Sequence, residues 1–267
     1  MSYEHKESTE SRSPLAAQPL RHAGQSLDEE IRRFIDDEIL GYAMAAVFVC
    51  TLAAYEWWRW YANSPPQPVI FTVLAVIAVA LATRKFVLGR RKVRLLRMAR
   101  DGERAVGQFL EGMRENGFRV LHDIVGENFN IDHLLIGPKG VFTIETKTVS
   151  KPGRGKAEID YDGTQIMING FKPDRDPVVQ AKAQAHWVRE LIKELTGKLI
   201  TVRPAVVYPG WFINQTNKAG RPDVWVLNPK ALPAFIENSD GRLSEEDVRS
   251  FHAHLSRYVR NTPANIV

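Results

Sequence analysis

Two apolar runs near the N-terminus constrain this chain more than any other feature. From Ile39 to about Tyr61 the residues are nearly all apolar or aromatic, and the only charges, Glu56 and Arg59, sit at the far end beside Trp57, Trp58, Trp60 and Tyr61. That is the length of one bilayer crossing with an aromatic belt at one interface. After the breaker Asn63-Ser64-Pro65-Pro66-Gln67-Pro68 comes a second run, Val69 to Ala82, prolonged past Arg84 and Lys85 by Phe86, Val87 and Leu88. Those two cations can snorkel, so a span survives them. Transmembrane helices are therefore predicted over 39–61 and 68–88. A hydrophobic hairpin inside a soluble domain is the competing explanation, and continuous apolarity with aromatic ends argues against it. The single cysteine, Cys50, lies inside the first run, where it reads as a small hydrophobe. One cysteine also excludes an intramolecular disulfide and a cysteine-based zinc site.

Charge supplies an orientation. Arg84, Lys85, Arg90, Arg91, Lys92, Arg94, Arg97 and Arg100 crowd the end of the second run, while the connection between the runs has no Lys or Arg. The positive-inside rule then puts both termini and the following domain in the cytoplasm, on a multi-pass protein of the cell's inner (plasma) membrane. The cluster serves topology and lipid headgroups, or alternatively nucleic-acid phosphates. The whole chain, with 36 Lys+Arg against 31 Asp+Glu, is only mildly basic, far from a histone-like excess. Residues 1–26 are polar with few large apolar groups and read as a disordered tail. An amphipathic helix is predicted over 27–38 from Leu27, Ile31, Phe34 and Ile35, a basic juxtamembrane segment over 89–100, and one soluble domain over 101–267.

In that domain Ala99, Val106, Phe109, Leu110 and Met113 form the stripe of a helix ending near Asn116-Gly117. Glu103 falls on this stripe. Either it points at the core and needs a partner or a metal, or it complements the dipole at a helix start. Strands follow at Phe118–Val125, Ile131–Ile136 and Val141–Lys147, the last two joined by Gly137-Pro138-Lys139-Gly140 into a hairpin. If the turn closes symmetrically, Ile136 faces Val141 and Asp132 stands opposite Glu145. Strand alternation puts Glu145 and Lys147 on one face. Facing carboxylates repel unless a cation lies between them, and Mg²⁺, or Mn²⁺ in its place, takes oxygen ligands of this kind. The lysine can orient or deprotonate an attacking water and counter charge on a phosphate.

Downstream, Asp176-Pro177 caps a helix with the expected buried stripe Val179, Ala183, Trp187, Leu191 and Leu195. Gln180, in its first turn, either reaches the site or is an ordinary surface glutamine. His122 and His186 show no ligand spacing. Val202–Tyr208 and Asp223–Leu227 read as further strands, and Ser244 caps a last helix with Val248, Phe251, Leu255, Tyr258 and Val259 inward.

The stretches Gly126-Glu127-Asn128, Asp132-His133-Leu134-Leu135-Ile136 and Gly140-Val141-Phe142-Thr143-Ile144-Glu145-Thr146-Lys147 resemble the NERD (nuclease-related) domain family. The likeness continues through Tyr161-Asp162-Gly163, Pro177-Val178-Val179-Gln180-Ala181 and Pro209-Gly210-Trp211-Phe212, from about Gly102 to Leu227. That family is similar to the PD-(D/E)xK nucleases. The resemblance implies an α/β, restriction-endonuclease-like αβββαβ core, here preceded by the two-helix transmembrane hairpin. It also implies Glu103 as the helical acid, Asp132 and Glu145 as metal ligands with the Thr146 carbonyl, Lys147 as the catalytic lysine and Gln180 as a supporting amide. Many members follow Glu-x-Lys with Asn and Trp, whereas Thr148, Val149 and Ser150 stand here. The expected function is a membrane-anchored, Mg²⁺-dependent nuclease with DNA as its substrate. The rivals are a non-catalytic tethered module that binds nucleic acid or protein, and a small membrane sensor whose output is the globular domain.

Overall fold

The computed structural model describes residues 19–62, 68–126, 129–151, 157–216 and 222–262. Most of the expected tail, the breaker at 63–67 and the pair Glu127-Asn128 lie outside them. Helix α1 spans Gln25–Arg33, a π-helical stretch Phe34–Leu40 continues it, and α2 follows at Gly41–Tyr61. Helix α3 runs unbroken from Pro68 to Glu111. It then tightens into a 3-10 turn at Gly112–Asn116, closed by Gly117 at φ 81°. A left-handed φ of this kind suits glycine at a helix end. The second apolar run, the basic segment and the first helix of the soluble domain are thus one rod of 44 residues, roughly 65 Å long. No proline follows Pro68 in the rod, and Gly89, Gly102 and Gly107 are accommodated inside it without a break.

Two helices, Gln25–Tyr61 and Pro68–Asn116, are long and apolar enough to cross a membrane, and only 11% and 6% of their most apolar windows are buried against protein. A core helix of a soluble domain would hide most of that surface. The charged pair near the end of α2 is neutralised internally, Arg59 Nη1 lying 2.8 Å from Glu56 Oε1. Trp57 Nε1 donates to Thr72 Oγ1 across the hairpin at 3.0 Å.

The tail prediction is too long. Residues 19–26 are packed on the soluble domain rather than loose, because charge partners distant in sequence hold them. Arg21 Nε donates to Asp123 Oδ2 at 2.7 Å, and Ser26 reaches the same carboxylate through its backbone N–H at 3.0 Å and its hydroxyl at 2.7 Å. Asp28 binds Arg100 of α3 at 3.1 Å.

Strands β1 (Arg119–Val125), β2 (Asn130–Gly137) and β3 (Gly140–Thr146) form an antiparallel meander. β4 (Glu158–Tyr161) and β5 (Ile166–Ile168) leave this sheet, and α4 (Pro177–Thr196) returns the chain to it. β6 (Val202–Val207) lies parallel to β3, β7 (Phe212–Gln215) joins β4, and β8 (Trp225–Leu227) adds parallel to β6. The main sheet reads β1-β2-β3-β6-β8 and a small second sheet β5-β4-β7. The second sheet and the short helix α5 (Leu232–Glu237) were not anticipated. Helix α6 spans Glu245–Asn261, with Ser244 accepting from the Asp247 N–H at 3.1 Å as its cap.

Helices α4 and α6 cover one face of the main sheet around Leu134, Ile136, Val188 and Phe251, and α3 with α5 covers the other around Leu110, Leu135, Phe142 and Ile144. The stripe predicted for α4 holds at Leu191 and, half-buried against the core, at Trp187 and Leu195, but not at Val179 and Ala183. Val178, Ala181, Ala185, Val188 and Ile192 are buried, while Val179 is 63% exposed and Ala183 is exposed. Both sets have helical spacing; the small Ala181 and Ala185 win the sheet side because they let the helix approach closely.

Beneath α3, His122 and His133 share a rung of the β1–β2 ladder with their Nδ1 atoms 2.9 Å apart. His122 Nε2 lies 2.8 Å from Glu111 Oε1. A carboxylate only accepts, so His122 carries its proton on Nε2 and receives one bond from His133 Nδ1–H. Burial holds both rings below the ordinary histidine range, His133 well below it. The unfolded chain therefore binds protons below about pH 6.5 that folded His133 refuses, and its contribution to stability is full above that pH and lost as pH falls. The substitution His133→Asn keeps a donor for His122 without the titration. Unfolding followed from pH 7 to pH 5 should show a shallower acid loss in this variant than in the parent.

A second expectation concerns Arg21, whose side chain is 10% exposed against Asp123 at 3%. Arg21→Ala strands a buried carboxylate and should cost about 3–5 kcal/mol in thermal unfolding, whereas a loose tail would leave stability unchanged.

Candidate active site

The hairpin register is the one its turn dictates. Ile136 pairs with Val141 and the ladder continues to His133 opposite Ile144, so the next rung sets Asp132 against Glu145. Asp132 turns its Oδ2 onto the Thr146 N–H at 2.6 Å, which fixes the carboxylate at the end of β3. Glu145, 3% exposed, faces α4. Its Oε1 accepts from Lys147 Nζ at 2.6 Å and from Gln180 Nε2 at 2.7 Å, and Lys147 Nζ also donates to Gln180 Oε1 at 2.9 Å. Three of the five expected residues thus close a hydrogen-bonded triangle. Gln180 is positioned by the first turn of α4, whose cap Asp176 accepts from the Val178 and Val179 N–H groups at 3.0 and 3.4 Å. Below that turn Val178 and Ala181 pack on Tyr161, Tyr208 and Trp211 beside the second sheet. Trp211 Nε1 in turn donates to the Val149 carbonyl at 3.1 Å, steadying the chain after Lys147.

Glu103 stands apart from the triangle. It accepts from the Gly24 N–H of the N-terminal segment and feels Asp123 and Glu145 through space. Burial first, then those two charges, push its carboxyl up to about 8, with Lys147 and the Gly24 bond opposing. Asp132 is likewise pushed well above the carboxylate range by burial, then by Glu145 and Glu103, against the Thr146 N–H. Without a cation, Glu103 and Asp132 therefore favour their protonated forms, because the site gathers more carboxyl groups than Lys147 offsets. Gly102, beside Glu103, is needed for closeness: a Cβ there would lie 1.8 Å from Thr148 Oγ1.

Oxygen donors alone are gathered here, two carboxylates and the Thr146 backbone, which suits a hard divalent cation. Among the described residues no group of three or more His, Cys, Asp or Glu side chains is close enough to hold a metal. Glu103 is thus not a third carboxylate ligand in this arrangement, and the protein's donors would be Asp132, Glu145 and the Thr146 carbonyl.

The amino-acid stretch that builds this geometry has a counterpart. Residues 99–209 match the family model described as NERD, nuclease-related domain. Over those residues the chain is similar to a nuclease-related domain. The match begins in α3, takes in the hairpin and α4, and ends just past β6, short of the Leu227 to which the resemblance had been traced. No curated protein and no solved structure matches the chain.

Two residues of the matched stretch were not singled out by the sequence pattern. Gln184, one helical turn after Gln180 and 1% exposed, donates to Glu145 Oε2 at 2.6 Å and to the Asn130 carbonyl at 2.9 Å. Its i+4 spacing was the available signal. Asp123 occupies the rung of Asp132 on β1, with φ 51° and no ladder pairing between His122↔His133 and Ile124↔Ile131. A buried acid in Leu121-His122-Asp123-Ile124-Val125 was visible, but its partner Arg21 lies 102 residues away.

Opposite effects are expected from neutralising the two kinds of residue. Asp132→Asn keeps an acceptor for Thr146 and relieves repulsion, so metal-free protein should gain about 1 kcal/mol. Gln184→Leu leaves a Glu145 oxygen and a buried carbonyl unpaired and should lose about 1–3 kcal/mol. Thermal unfolding with a chelator present reads both signs.

Proposed function

We propose that this chain is a membrane-anchored, metal-dependent phosphodiesterase acting on DNA, with its nuclease-related domain on the cytoplasmic face of the inner (plasma) membrane. The observation that carries the reading is the Glu145–Lys147–Gln180 triangle with Asp132 on the adjoining rung, inside a domain matched as nuclease-related. The order α3, β1–β3, α4, β6 supports a restriction-endonuclease-like αβββαβ core, with β4 and β5 inserted before α4. The exposed apolar faces of α2 and α3 support the anchor, and the basic residues following the second run support the orientation.

Asp132, Glu145 and the Thr146 carbonyl would hold Mg²⁺ or Mn²⁺, which when bound supplies Lewis-acid polarisation of a phosphoryl oxygen. Lys147 and Gln180 are the half-buried members of the triangle, the lysine side chain 29% exposed, whereas Glu145 is buried. The Lys147 ammonium can orient the attacking water and counter the charge that develops on the phosphate. Gln180 and Gln184 divide the Glu145 oxygens between them and fix the plane of that carboxylate. Glu103, with a carboxyl that titrates near neutrality, can hold or release a proton at the rim.

One observation favours the non-catalytic alternative: Glu145 is already satisfied by an ammonium and two amides. A single assay separates the two. Full-length protein in detergent is expected to nick DNA only with Mg²⁺ or Mn²⁺, and Glu145→Ala or Lys147→Ala should lower the rate about 10²–10³-fold. Cleavage unchanged in both variants, or no divalent dependence in the parent, would refute the assignment.

A further inference from the structure

The cations that follow the second apolar run divide into two sets. Lys85 pairs with Glu38 at 3.0 Å, Lys92 with Glu30 at 3.4 Å and Arg100 with Asp28 at 3.1 Å, and these contacts knit α3 to the segment before α2. Arg90, Arg94 and Arg97 have no acidic partner among the described residues, although their spacing sets them along one side of α3. The three line a single groove of about 410 Å³ between α3 and the π-helical stretch. Its floor is apolar: Ile35 and Ile39 from one side, Phe86 and Val93 from the other. Gly89 makes the neighbouring wall tight, since a Cβ there would lie 3.1 Å from both Ile39 Cδ1 and Phe34 Cε1.

The groove begins where the apolar part of α3 gives way to its arginines. An occupant that satisfies both halves has an anionic head and a hydrocarbon body. Guanidinium groups bind phosphate oxygens in a fork, and arginine stems lie readily along hydrocarbon. Free phosphate would use the rim and leave the floor wet; an acyl chain covers it. We propose that this groove is a binding site for one anionic phospholipid, with its phosphate on Arg90, Arg94 and Arg97 and its first methylenes on the floor. The inference rests on the membrane-anchored reading but not on catalysis.

The test uses the full chain reconstituted into phosphatidylcholine vesicles containing a minor share of phosphatidylglycerol. After flotation the protein is extracted in mild detergent and the lipid it retains is identified by mass spectrometry. Phosphatidylglycerol should be retained above its share in the vesicle. R94Q/R97Q should reduce that enrichment about five-fold per arginine removed. R84Q/R91Q, which deletes the same charge outside the groove, should leave it intact. Flotation without enrichment, or equal loss in the two variants, overturns the groove while leaving the anchor standing. Failure to float overturns the anchor and the groove together. Displacement of the retained lipid by a short DNA duplex would also overturn the proposal and assign the arginines to nucleic acid.

Discussion

Helix α3 has two halves of opposite character, one exposing apolar side chains and one packed into the core, and the rest of the molecule is arranged around their join. Its first half exposes valine, isoleucine and leucine that water would not tolerate in such number, and its second half supplies Val106, Leu110 and Met113 to a buried core. Because backbone hydrogen bonding is continuous through Gly89 and Gly102, no hinge separates the two halves. Everything docked on the rod keeps a fixed relation to its apolar half: α1 through Asp28, the N-terminal segment through Glu103 and the sheet through Leu110.

The acid cluster shows what this fixity is for. Four carboxylates, Glu103, Asp123, Asp132 and Glu145, come from a helix and three neighbouring strands, and each is held by a different partner. Asp123 is neutralised by Arg21, whereas Glu145 has Lys147 and two amides. Asp132 and Glu103 are left with backbone N–H groups alone, and they are the two whose carboxyls are pushed upward. The two carboxyls for which ionisation is most costly therefore lie on the side of the cluster that feels Lys147.

Local rules carried much of this. The turn Gly137-Pro138-Lys139-Gly140 sets the register, alternation sets the face of Glu145 and Lys147, and Asp176-Pro177 announces α4. What failed were competitions decided by packing. The α4 stripe through Val179, Ala183, Trp187, Leu191 and Leu195 holds only toward its end, and in the first turns Val178, Ala181 and Ala185 face the sheet instead. Gln184 was passed over because a glutamine inside a helix gives no sign of burial until the rotation is known. The strands β4, β5 and β7 span only 4, 3 and 4 residues, too few for a period to emerge. The packed segment 19–26 depends on Arg21 finding Asp123, a contact without any local signature.

The length of α3 also acts as a spacer. Counting 1.5 Å per residue from Arg94, in the middle of the proposed phosphate site, Glu103 stands about 13 Å further along the helix axis. In a bilayer of anionic lipid the surface potential decays over about 8 Å at physiological ionic strength. The site would then lie more than one screening length out, where the headgroups' repulsion of a polyanion is much reduced. Shortening the rod by two turns would bring Asp132, Glu145 and Lys147 back within one screening length of the headgroups, into a field that turns nucleic acid away.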